Sequence, residues 1–115
     1  MKKFFILFGI PVADIDEWMK KPEAERKGME QDLMQQWNAW MTAHEAMFVN
    51  KGGPLGKNKR ATGKGVADVR NDLNWYAIVQ GASHDEVANM FADHPQVIAI
   101  PSAYIQIMEM PERGM

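Results

Sequence analysis

A chain of 115 residues with 46% hydrophobic and 24% charged residues has the length and composition of one soluble domain, which excludes a disordered chain and two separately cored domains. A formal charge of -2 with interspersed signs excludes the basic face typical of nucleic-acid binders, and the local cluster Lys51, Lys57, Lys59 and Arg60 reads as a solvated loop. The absence of cysteine excludes disulfides, thiolate nucleophiles and cysteine-ligated zinc, and is compatible with a reducing cytoplasm, where we place the protein.

Met1 to Ile10 has the basic end and apolar run of a signal peptide. Pro11 stops the run, however, and Asp14, Asp16 and Glu17 stand where a cleavage site needs small residues. Lys3 to Gly9 is therefore expected to be a strand, apolar on both faces, and no run has the apolar length of a membrane-spanning helix. Asp14 to Lys21 is a polar connection carrying Ile15, Trp18 and Met19, able to form a helical turn.

Pro22 opens a long helix, with Glu23 and Glu25 favouring the positive end of its dipole. Met29, Leu33, Trp37, Trp40, Met41, His44 and Met47 recur at spacings of three and four along one face. Gly28 costs that helix about 1 kcal/mol relative to alanine. Asn50 and Gly52-Gly53 are expected to close it near Phe48 to Lys51.

Gly52-Gly-Pro-Leu-Gly56 reads as a turn-rich loop and Lys57 to Val69 as one long, weakly apolar strand, whose glycines at 63 and 65 suggest an edge or a bend. Arg70 to Asn74 follows as a hairpin loop, then Trp75 to Gln80 as a third strand, apolar on both sides. Ser83-His-Asp-Glu86 has the pattern of a capping box and starts a second helix at about His84. Val87, Met90 and Phe91 form its buried stripe, and Pro95 stops it by Asp93. Gln96 to Pro101 reads as a loop, Ala103 to Met110 as the fourth strand and Pro111 to Met115 as a loose tail.

The resulting order, strand, helix, strand, strand, helix, strand, predicts an α+β protomer of ferredoxin-like βαββαβ type, an antiparallel sheet with both helices on one face. The other face would still be apolar. Phe5 and Leu7 back onto Phe4, Ile6 and Phe8; Trp75 and Tyr76 point oppositely; Tyr104 and Met108 oppose Ile105 and Ile107. Such a patch needs a cover, and a second copy of the chain supplies it, so the sequence predicts a homodimer in which two sheets face each other as a barrel.

The element order, Gly52-Gly-Pro-Leu-Gly56 after the long helix, and His94-Pro95 followed by Pro101 and the last strand are similar to the YCII-related family of small dimeric α+β barrel proteins. The resemblance covers nearly the whole chain. It implies a ferredoxin-like protomer, a dimer, and a cleft near the end of the second helix, where an Asp-Pro or His-Pro pair and a histidine form a proposed acid/base dyad. Here the pair is His94-Pro95, preceded by Asp93, and His94 stands where many relatives carry aspartate.

His94 is the first candidate for chemistry, because a near-neutral histidine can give or take a proton, with Asp93 to orient its ring; the alternative is a histidine that caps the helix C-terminus. His44, on the apolar stripe, is either a core residue or part of a pocket mouth. Tyr104 and Gln106 share a face of the last strand that would look into the dimer barrel, where they could orient a ligand or serve the interface. One of Trp75 and Tyr76 should line whatever cavity exists, and His84 should be solvated. The 10 methionines are adaptable filler. No phosphate loop has the required strand-to-helix context and no histidine pair has metal-ligand spacing, so neither a cofactor nor a metal is expected. Three readings follow: a cofactor-free binder of a small organic molecule with histidine acid/base chemistry at His94 and Asp93; a non-catalytic metabolite-binding or interaction protein; and a monooxygenase-like or haem-handling barrel, which would need a histidine such as His44 aimed into an enlarged cavity. None involves nucleic acid or a membrane.

Overall fold

A computed structural model describes residues 1–112. It contains β1 (Lys2–Gly9), α1 (Val12–Met19), α2 (Glu23–Ala43), a short 3-10 turn (Glu45–Met47), β2 (Phe48–Pro54), β3 (Asn58–Thr62), β4 (Gly65–Val69), β5 (Leu73–Gly81), α3 (His84–Phe91), α4 (Pro95–Ala99) and β6 (Tyr104–Met110). The fold is α+β. Its main sheet has four antiparallel strands in the order β2-β5-β1-β6, and β3 and β4 form a separate two-stranded sheet. The expected tail falls partly outside the described residues.

The two faces of the main sheet follow from its register. Phe8 lies opposite Trp75 and Ile105, and Ile6 opposite Ala77 and Ile107, so these residues share one face. Among the described residues the buried hydrophobic side chains all lie on this face or on the helices covering it: Phe4, Ile6, Phe8, Ala77 and Val79 from the sheet, Trp37 and Trp40 from α2, Val87 and Phe91 from α3. Phe5 with Ile78 and Met108, and Leu7 with Tyr76 and Gln106, share the opposite face. Among the described residues no buried hydrophobic side chain lies on that second face, and Met108 is 41% exposed. Ile105 and Ile107 do pack under the helices, as their alternation with Tyr104, Gln106 and Met108 required.

The Cα radius of gyration is 15.9 Å, against about 13 Å for a compact domain of this length. The principal extents of 45 × 44 × 20 Å describe a slab, one helical layer on one sheet, with the β3–β4 hairpin beside it. No helix among the described residues is long and apolar enough to cross a membrane.

The second strand differs from the sequence expectation. Its place beside β5 is taken by Phe48–Pro54, while 57–69 folds back on itself as the β3–β4 hairpin. Gly52 does adopt a left-handed conformation, φ 73°, but within a strand: the register between β2 and β5 shifts between Asn50 and Gly53. A Cβ at Gly52 would lie 1.5 Å from the Tyr76 carbonyl oxygen, so the bulge requires glycine. Of the glycines expected at an edge or bend, Gly63 stands with Lys64 in the tight turn between β3 and β4, and Gly65, φ 128°, opens β4 opposite Thr62.

The helices depart in three places. The long helix ends at Ala43, followed by the Glu45–Met47 3-10 turn, rather than near Phe48 to Lys51, where β2 has already begun. The polar connection is two turns of helix, α1, begun directly after Pro11. Asp72 anchors it: one carboxylate oxygen accepts from the Val12 N–H at 3.2 Å and the other from the Tyr104 hydroxyl at 3.0 Å. The segment after Pro95 is not a loop but α4, whose N-cap is His94. Ser83 caps α3 as its sequence pattern predicted, its side chain accepting from the Glu86 N–H at 3.1 Å.

Candidate functional site

His94 belongs to a buried aromatic cluster. Its side chain is 0% exposed, and its ring centroid lies 4.4 Å from Trp37, 4.7 Å from Trp40 and 4.9 Å from Phe8, all edge-to-face. Its Nδ1 accepts from the Gln96 N–H at 3.1 Å, which places the ring proton on Nε2. Nε2 has no hydrogen-bond partner among the described residues. Burial holds the pKa down to about 4, opposed by the Asp93 charge and slightly reinforced by His44. The ring is therefore neutral at neutral pH, and it caps the start of α4 rather than the C-terminus of α3.

The two neighbours named with it are engaged by Trp40 instead. Asp93 Oδ1 accepts from the Trp40 indole N–H at 3.0 Å, and the His44 ring stacks on Trp40 at 4.1 Å with Nδ1 2.8 Å from the Trp40 carbonyl oxygen, to which it donates. The first contact ties α2 to the residue just before α4, and the second closes the C-terminal end of α2 on itself. The Tyr104 ring lies over Gly9, where a Cβ would come within 2.3 Å of it. Its hydroxyl is committed to Asp72, and burial together with that bond raises its pKa. Gln106 is exposed on the second sheet face. His84, expected to be solvated, is exposed, yet it stacks on Phe4 at 5.3 Å and donates from Nε2 to the Ile107 carbonyl at 2.6 Å.

On the other side of Trp37 lies a cavity of about 790 Å³, bounded by α1, α2, the ends of β2 and β5, and α4. Trp75 lines it; His44, Asp93, His94, Tyr104 and Gln106 do not. Its walls are apolar and aromatic: Trp18 from α1, Leu33, Met34 and Met41 from α2, and the indoles of Trp37 and Trp75, 5.5 Å apart and edge-to-face. The cavity exists because α2 overshoots the sheet. Between Glu23 and Gln36 only Arg26 and Leu33 are even half-buried, so the first half of the helix stands beside the cavity rather than on the core.

Two polar side chains at the inner end were not singled out from the sequence. Gln96, 1% exposed, and Asn74, half-buried, pair their amides reciprocally, Asn74 Nδ2 donating to Gln96 Oε1 at 3.2 Å and Gln96 Nε2 to Asn74 Oδ1 at 3.3 Å. The available signal was a lone amide inside the apolar run His94-Pro-Gln-Val-Ile-Ala-Ile100, where a polar side chain must find a partner if buried. Among the described residues no group of three histidine, aspartate or glutamate side chains could hold a metal ion. A scan against protein-family models and a search of curated proteins found no match to this chain.

Proposed function

We propose that the chain is the protomer of a homodimeric α+β barrel of the YCII-related kind and that it binds a small organic molecule, without a cofactor, in the cavity beside Trp37. The observation that carries the reading is the cavity itself: about 790 Å³, walled by three indoles and by long apolar side chains such as Leu33, Met34 and Met41, with one amide pair at its inner end. Ligand pockets of roughly 300–1,000 Å³ have this make-up, mostly apolar with a few fixed polar groups. Binding is favoured over proton transfer because His94 is neutral, closed off behind Trp37 and Trp40, while Asp93 is held by the Trp40 indole. The monooxygenase-like alternative calls for a histidine aimed into the cavity, and none of His44, His84 and His94 lines it.

The ferredoxin-like assignment is supported by the sheet order β2-β5-β1-β6, in which β1 and β2, joined by the helices α1 and α2, are separated by β5, and β5 and β6, joined by α3 and α4, by β1. The dimer is supported by the uncovered second face, with Phe5, Leu7, Tyr76, Ile78 and Met108 side by side. The lack of cysteine supports a cytoplasmic setting.

A thermal-shift screen of a metabolite library tests the function. A true ligand at a hundred times its Kd adds about 2.7 kcal/mol of stability and raises Tm by several degrees. The same compound should act far more weakly on Trp75→Ala. Shifts equal in both proteins, or none across a diverse library, overturn the reading. Sedimentation at micromolar concentration tests the dimer, with Leu7→Glu expected to run as a monomer; a monomeric native protein refutes it.

A further inference from the structure

The polar inner end of the cavity narrows the class of ligand, an inference that rests on reading the cavity as a ligand site. Of the residues lining it, Trp37 and Gln96 are the two that are buried, Gln96 almost completely, so they mark its depth. Gln96 is fixed twice, by its backbone N–H on His94 Nδ1 and by its side chain on Asn74. A primary amide offers two N–H donors and two carbonyl lone pairs. The reciprocal pair uses one donor and one lone pair from each residue, and among the described residues neither side chain makes a further hydrogen bond. One N–H and one carbonyl lone pair therefore remain on each amide, in a setting of low dielectric where polar groups gain from a partner.

Charge narrows the class further. Asn74 and Gln96 are neutral, so an ionised ligand group brought to them would lose its water without meeting a counter-charge. Asp14 and Glu30 line the outer part of the cavity and form no ion pair among the described residues, whereas the Lys51 amine is held by Glu45 at 3.1 Å. The rim is thus unfavourable to anions. Flat indole walls at Trp18, Trp37 and Trp75 favour a flat ring.

From this arrangement we infer that the cavity takes an uncharged, ring-containing molecule with an amide- or lactam-type edge, N–H beside C=O, which pairs with the free donors and acceptors of Asn74 and Gln96. The aromatic walls supply contact area and the amide pair supplies selectivity. A site built to hydrogen-bond such an edge discriminates against analogues that lack it, because its own polar groups would then be left without partners.

Isothermal titration with three bicyclic probes of similar size decides the matter: the lactam carbostyril, naphthalene and naphthoate. Carbostyril is expected to bind at least about tenfold more tightly than either of the others. In the double variant Asn74→Leu/Gln96→Leu, which removes both partners together, that preference should vanish while naphthalene binds as before or better. If the double variant does not fold, the ranking on the native protein stands as the test. Equal binding of naphthalene and carbostyril overturns the inference and leaves the cavity standing as a ligand site. Tighter binding of naphthoate overturns it in the same way, and no binding by any of the three also overturns it, with the library screen deciding separately whether the cavity binds anything.

Discussion

Trp37 separates two regions made of much the same residue types. On one side it presses edge-to-face on His94 in a cluster with Trp40, Phe8 and Phe91 that leaves no exposed atom on the histidine. On the other it walls a cavity with Trp75 and the methionines of α2. The cluster contains the group with an obvious reactivity but no access, while the cavity has access, with neutral amides at its inner end and Asp14, Glu30 and Lys51 elsewhere in its lining. Residue chemistry alone points to the first region, and packing points to the second. A histidine enclosed by three aromatic rings is part of the packing, whereas a glutamine that reaches only another amide still has capacity to bind.

The difference is most directly broken by removing the shared wall. Trp37→Ala should cost about 3–5 kcal/mol in urea unfolding, the range for a large core aromatic, and should join the His94 site to the cavity. Water reaching the imidazole would let its pKa, followed by NMR, rise from about 4 toward 6.5. An unchanged pKa in a folded variant would mean that burial by Trp37 is not what holds it down.

The enclosed imidazole also predicts a pH dependence. Above pH 6.5 the ring is neutral in both folded and unfolded chains, so the native stability is fully present. As pH falls from 6.5 toward 4, the unfolded chain takes up a proton that the folded one refuses, and stability is lost across that window. With each pKa unit worth about 1.36 kcal/mol, the loss attributable to His94 is about 3 kcal/mol. Urea titrations between pH 4 and 7 should show a steeper decline in the native protein than in His94→Leu, and parallel curves would refute the assignment.

Most of the fold is legible in the sequence wherever local pattern and burial agree. The two-faced apolar runs of β1, β5 and β6, the three-and-four spacing around Trp37 and Trp40, and the Ser83 cap each specify their element without help from distant residues. Legibility fails where partners far along the chain decide. Gly52-Gly53-Pro54 has the composition of a turn, but β5 supplies a partner and turns it into a bulged edge strand, a position that tolerates proline. His94 reads as a helix C-terminus because Pro95 forbids α3 to continue; that Pro95 also begins α4 depends on packing against α2. The cavity is the least legible feature, because nothing local says that α2 outruns the sheet. Gly52→Ala probes the bulge directly. At φ 73° with the Tyr76 carbonyl in the way, it should cost about 2 kcal/mol and alter ligand binding, since Gly52 also lines the cavity. A neutral effect would mean that β2 can re-register without it.

The smallest expected effect on stability is the most informative about the open side. Met34 lines the cavity while remaining 50% exposed, so truncating it removes contacts that the folded chain has only half made. Met34→Ala should change unfolding free energy by less than about 0.5 kcal/mol, as exposed substitutions usually do, yet it removes part of the wall against which a ligand would be desolvated. A ligand from the thermal-shift screen should therefore bind several-fold more weakly to this variant, with the unliganded Tm nearly unchanged. Trp37→Ala, by contrast, should change both quantities. If Met34→Ala instead destabilises the free protein strongly, the methionines of α2 are closing a core, and the two sides of Trp37 differ less than their packing indicates.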